Sequence, residues 1–376
     1  MPDGGDDGRY GEGRHIDPGV GILAGEASEQ KVPDQREKVE GAAPYDVWKE
    51  VPSRDGRRAE GDVTYYDRPV LKEPTWIWSV PAYFYAGGTA GAAAVLELVA
   101  QLADEDDLEG LVTRCRWISA AGDAIGTALL IEDLGRPERF ANMLRVFRPS
   151  SPMSVGSWIL ATSSAASGLS ILFGKRSGLP GFVGKVGTVT SGVAGLPLSG
   201  YTAVLLSNTA VPVWQATRRS LPLLFMSSAV SSAGSLLDLM DLTDRERRIV
   251  RRYGLAAKLG EIAAAFAVER EADEVEEVGR AMREGVAGSL WRAAKALTAA
   301  SAALSLIQGR SKTRRRLSGV LGTLGAISMR FAVFHAGKRS ATDPRATFRQ
   351  QRAARGGAEA TGRAAVTGPG GRRAVS

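Results

Sequence analysis

Apolar residues in this chain gather into long runs between two polar ends. The runs cover 78–102, 115–131, 153–173, 186–206, 221–240, 253–268, 286–307 and 317–337. A helix needs about 20 mostly apolar residues to cross a bilayer core at 1.5 Å per residue. Four runs meet that cleanly: 78–102, 153–173, 186–206 and 221–240. The other four reach it only if their charges, such as Asp123, Lys258 or Arg330, face protein or water. Gly, Ala, Ser and Thr fill the uncharged runs, which have no polar face of the kind a soluble amphipathic helix carries. Small residues instead let membrane helices approach closely and bond across one another. The pattern predicts an all-α polytopic transmembrane bundle of about eight spans, seated in the cell membrane and surrounded by lipid.

The polar ends divide the chain into three parts. Residues 1–75 and 339–376 are rich in Gly, Asp, Glu, Arg and Ala, and short of apolar runs. Such segments bury too little surface to offset their ordering entropy, so both are expected to be disordered tails flanking a membrane domain at 76–338. The first residues are acidic and lack an apolar signal core, so insertion is expected to rely on the first membrane helix. Because the average mixes these polar tails with the apolar runs, the mean hydropathy of −0.09 hides the membrane domain.

The net charge is +7, but the basic residues punctuate apolar runs and do not line one folded face. That arrangement fits charged loops at a membrane surface and gives no reason to expect nucleic acid. An eight-span count places both termini on one face. Lys and Arg are more frequent in the loops of the opposite face, counting Arg114 and Arg116 there, which favours termini outside; the basic C-terminal tail argues the other way.

One cysteine, Cys115, rules out an intrachain disulfide framework and any cysteine-held cluster. Of the two histidines, His15 lies in a tail and only His335 in the membrane domain, too few for a bis-histidine haem. No phosphate loop, nucleophile triad or metal-ligand spacing is present. The expectation is a chain with no haem and no metal of its own.

Family likeness adds what composition does not. The segment 133–160, DLGRPERFANMLRVFRPSSPMSVGSWIL, closely resembles the polysulfide-reductase NrfD family of membrane subunits. YYDRPVLKEPTWIW before the first run agrees, as do YFYAGGTAGAAA within it, GYTAVLLSNTAVPVW at the fourth and MRFAVFHAGK in the last. The likeness covers about 65–338. It implies two four-helix bundles and a quinone or quinol (menaquinone or ubiquinone) bound near the face that docks an iron–sulfur subunit. A molybdopterin catalytic subunit is implied beyond that partner. Ser79 stands where the family pattern has an acidic residue, a departure close to the implied quinone site.

Particular residues carry two readings each. Tyr201 is the first choice for bonding a quinone carbonyl through its phenol, against an interfacial anchoring role; Tyr83 is the alternative, and Thr202 and Asn208 lie nearby. Arg136, Arg139, Arg145 and Arg148, in the loop 134–152, can dock a partner through bidentate bonds or simply meet lipid headgroups. Glu97, Asp123, Asp133 and Glu261 are candidates for a proton route to the quinone. Lys258 and Glu261 stand at i,i+3, so local pairing is the plainer reading there. His335 can shuttle a proton but more simply caps its helix. Two other classes remain open: an ion or solute transporter, and a passive membrane anchor without quinone chemistry.

Overall fold

A computed structural model describes residues 69–103, 106–135, 137–307 and 311–352, together with two short strands. The strands, His15–Asp17 and Ile22–Ala24, pair antiparallel with Ile16 opposite Leu23. They belong to a separate unit, 1–68, otherwise outside the described residues.

The main unit begins with an irregular strap, 69–78, and is then helical. Its first four helices are α1 (Ser79–Leu102), α2 (Glu109–Asp133), α3 (Pro152–Phe173) and α4 (Gly178–Ser207). A short α5 (Pro212–Ala216) leads to α6 (Leu221–Leu239) and α7 (Asp244–Asp273). After a short α8 (Glu276–Arg283) come α9 (Gly285–Ile307), α10 (Lys312–Thr342) and α11 (Pro344–Arg352). Among the described residues, five helices are long and apolar enough to cross a membrane: α1, α3, α4, α6 and α10. The charged α2, α7 and α9 have 25, 30 and 23 residues, so at 1.5 Å per residue they match the height of their neighbours.

The eight long helices form two four-membered rings. In the first, α1 packs on α2, α2 on α3, α3 on α4 and α4 on α1. In the second, α6 packs on α7, α7 on α9, α9 on α10 and α10 on α6. The rings meet where α1 and α4 pack on α6, and α1 on α10. Small residues make this possible. A Cβ on Gly91 of α1 would stand 2.6 Å from the Gly195 carbonyl of α4, so the two backbones cross in direct contact only because both positions are glycine. Large side chains point outward instead, as with Phe182, Val186, Val189, Val193 and Leu196 of α4, all exposed on the surface that lipid would cover.

Helix order puts the starts of α1, α3, α6 and α9 on one face, with the ends of α2, α4, α7 and α10. This is the terminal face, and the opposite one is the far face. The far face is fastened by a capping box at the start of α7, where Thr243 and Glu246 exchange bonds. Glu246 also accepts from Arg114 of α2 at 2.8 Å, joining the two bundles.

Three expectations need correction. The helical body does not stop at 338: α10 continues to Thr342 and α11 runs to Arg352. Composition read this stretch as solvated, but Ala346, Thr347 and Gln350 are buried, and Arg349 pairs with Glu277 of α8. At the other end, the unit that carries the helices begins at Pro69, within the segment assigned to the tail. Arg116 is no loop charge; it is buried inside the first bundle against Glu97 of α1.

Candidate functional site

A cavity of about 270 Å³ opens among the ends of the first bundle at the terminal face. Six segments build it. The strap gives Trp76, α1 gives Val80, Tyr83 and Phe84, and α2 gives Leu129, Leu130 and Asp133. Met143 comes from the following loop, Met153 and Ser157 from α3, and Tyr201 and Leu205 from α4. The lining is mostly apolar, with polar groups at a few points only.

Tyr83 and Tyr201, alternatives in the sequence, are one feature here: their hydroxyls hydrogen-bond to each other. Each phenol oxygen has one proton, so when one hydroxyl donates to the other, the second keeps its own proton for a third group. Tyr201 reaches this position because α3 has no side chain at Gly156; a Cβ there would meet the Tyr201 ring. Asp133, at the end of α2, accepts from the Ile77 backbone N–H at 3.3 Å, which ties the strap to the cavity rim. The Ser157 hydroxyl is turned away to the Ser154 carbonyl at 2.9 Å.

The other sequence candidates are placed apart from the cavity wall. Thr202 follows Tyr201 by about 100° of helix turn and is buried elsewhere. Asn208 caps α4, its amide donating to the Val204 carbonyl at 2.8 Å. Ser79 is buried, its hydroxyl has no hydrogen-bond partner among the described residues, and it is not a lining residue. Arg145 and Arg148 are exposed on the loop that supplies Met143, beside exposed Val146 and Phe147. Arg136 lies outside the described residues, as does the side chain of Arg139.

Below the cavity, polar groups continue through the first bundle. Asp123 of α2 is buried, and its Oδ2 accepts from Ser163 and Ser167 of α3, both at 2.9 Å. One turn further along α3, Ser170 donates at 2.8 Å to Glu97 Oε1, which also accepts from Arg116 at 2.9 Å and Thr188 at 3.1 Å. Glu97 therefore has a cation partner, supplied by α2 and invisible to a reading confined to its own helix. It is 14 residues from Tyr83, about 21 Å along α1, so the acid and the cavity are at different depths.

Glu261 is in the second bundle, away from this series. Its expected i,i+3 pairing with Lys258 gives way to bonds across helices: Lys258 Nζ donates to Ser305 at 3.0 Å and Ser318 at 3.3 Å, and lies 3.8 Å from Asp238. Arg330, at the seam between the bundles, donates to the Phe225 carbonyl at 2.9 Å and covers the Phe225 ring at 3.8 Å. His335 packs edge-on against Phe334, with ring centres 5.5 Å apart. Among the described residues there is no group of three or more side chains able to hold a metal ion.

Sequence reasoning named the two tyrosines and Asp133 but missed Trp76, Phe84, Met143 and Ser157. The TWIW stretch carries part of the family likeness, yet nothing in a linear sequence says that its first tryptophan folds back over a cavity.

The long apolar helices, their small-residue crossings and their lipid-facing exterior define a multi-pass membrane protein. The profile of the polysulfide reductase family, NrfD type, matches residues 64–343, and the chain belongs to that family. Members are quinone-reactive membrane subunits of redox complexes. They generally pair with iron–sulfur and molybdopterin subunits. No curated protein matches the chain.

Proposed function

We propose that this protein passes reducing equivalents between the membrane quinone pool and a docked iron–sulfur subunit, using the terminal-face cavity as its quinone site. The observation that carries the reading is the cavity itself: an apolar slot whose inner wall presents a bonded pair of phenols. Small-ligand pockets are about 300–1,000 Å³ and mostly apolar with a few placed polar groups. A quinone headgroup, with its isoprenoid tail running out into lipid, suits a site of this size at the smaller end.

Quinone chemistry moves two electrons and two protons together. The Tyr83–Tyr201 pair offers one hydroxyl proton to a carbonyl oxygen of the headgroup, fixing its orientation. Asp133, on the rim, is an acceptor for a quinol hydroxyl, and its exposed side gives the proton a way out. The electrons leave or arrive through the partner's nearest cluster, which must lie within electron-transfer reach of the cavity. Loop 137–151 adjoins the cavity and projects Arg145, Val146, Phe147 and Arg148 outward, a mixed basic and aromatic surface suited to that partner. A molybdopterin subunit would be joined through it.

Asp123, the α3 serines and Glu97 form a polar series in the same bundle and are the candidates for proton movement towards the far face. Glu261 stands outside that series, so any part it plays belongs to the second bundle.

The test is purification of the intact complex from membranes, followed by solvent extraction and quinone analysis. The expected result is co-purifying iron–sulfur protein with up to one quinone per chain. A complex that retains its partner, contains no quinone and shows no turnover with any added quinol would make this chain a passive anchor.

A further inference from the structure

We infer that Trp76 is the face on which the quinone ring stacks, and that the second bundle holds that face in place through the strap; the inference rests on the quinone reading of the cavity. Trp76 is the one lining residue from outside the helices and their connecting loop. Its segment is fastened at three points. Glu73 pairs with Lys338 of α10 at 3.3 Å, Trp76 stacks on Trp214 of α5, and the Ile77 N–H donates to Asp133 at 3.3 Å. The strap therefore runs from the second bundle to the first, across the rim of the cavity.

The stack gives Trp76 its fixed position. The two indoles lie 5.8 Å apart between ring centres and 20° from parallel. Trp214 is itself held by its surroundings: it is buried, and its Nε1 donates to the Val333 carbonyl of α10 at 2.9 Å. It also lies directly over Gly337, where a Cβ would collide with the indole. Trp76 lines the cavity and Trp214 does not, so Trp214, on α5 packed against α10, backs Trp76 from the side of the second bundle. An electron-rich indole on a rigid support, within a slot that bonds one carbonyl end, matches a flat electron-poor ring. Phe84 cannot replace it, because it is buried among Tyr83 and Phe225 with tilted rings on both sides.

The experiment is calorimetric titration of the purified full-length chain in detergent with two tail-shortened probes, menadione and decyl-ubiquinone. Wild type should bind at least one of them. Trp76→Ala should weaken binding by roughly two- to tenfold, the range expected for one aromatic contact, and Trp76→Phe by less. Glu73→Gln and Lys338→Gln, at the partly exposed latch, should weaken it about twofold in the wild-type background. In the Trp76→Ala background they should add nothing, because they act through that ring. Wild-type affinity in both Trp76 variants overturns the stacking role. Latch losses that persist in full without Trp76 overturn the anchoring by the second bundle. If wild type binds neither probe, the quinone reading fails with it, an outcome distinct from the other two. Trp76→Phe keeps an aromatic ring at the strap, so its data remain interpretable if Trp76→Ala disturbs folding.

Discussion

Replacing Tyr201 with Phe isolates the hydroxyl from everything else that residue does. The ring stays in its slot against Gly156, so packing is preserved. What is lost is one of two phenol oxygens, and Tyr83 is left without its partner. One hydrogen bond to a ligand is worth about 0.5–1.5 kcal/mol, or roughly two- to tenfold in affinity or rate. The surviving Tyr83 hydroxyl is free to turn to the quinone, which keeps the loss of the single variant at that level. Removing both hydroxyls strips the inner wall of its donors. The headgroup oxygen is then buried unsatisfied at about 1–3 kcal/mol, so Tyr83→Phe with Tyr201→Phe should cost roughly 5- to 150-fold. The assay is quinone-coupled turnover of the assembled complex over a full quinone titration, with a soluble dye acceptor as control for the catalytic partner. Unchanged quinone kinetics in the double variant would refute the phenol pair as the carbonyl's partner. An equal loss with the dye would show faulty assembly instead.

Other expectations follow from single contacts. Gly156→Ala puts a methyl group where the Tyr201 ring lies, so the ring must move into the cavity; quinone affinity should fall while dye activity holds, and an unchanged quinone KM would show that the ring has room to yield elsewhere. Glu97→Gln leaves the buried Arg116 guanidinium without its counter-charge, a loss of about 3–5 kcal/mol for a broken buried pair. Thermal unfolding in detergent should show a clearly lower midpoint, and an unchanged midpoint would mean the pair is dispensable. Reporter fusions after Gly178, Thr243 and Ser311 should all report one face of the membrane, and fusions after Ser150 and Ala216 the other; a mixed pattern would contradict eight crossings.

Sequence by itself determined the membrane character and the helical class. Both follow from local rules: a bilayer accepts only segments that satisfy their own backbone, and the lengths of the apolar runs set where those segments lie. The family motif at 133–160 also pointed to the terminal face, and Tyr83, Tyr201 and Asp133 were legible as candidates because phenols and acids at the ends of apolar runs are conspicuous. The tertiary structure decided which residues meet. It joined Tyr83 to Tyr201, separated by more than a hundred positions, and gave Glu97 its partner from another helix. It also folded Trp76 over the cavity and carried α10 and α11 beyond the boundary that polarity implied. These outcomes depend on helix rotation and on close approach at glycines, which are properties of paired surfaces. A polar residue reads the same in a sequence whether it meets water, lipid headgroups or a partner charge, and only the packing of neighbouring helices settles which.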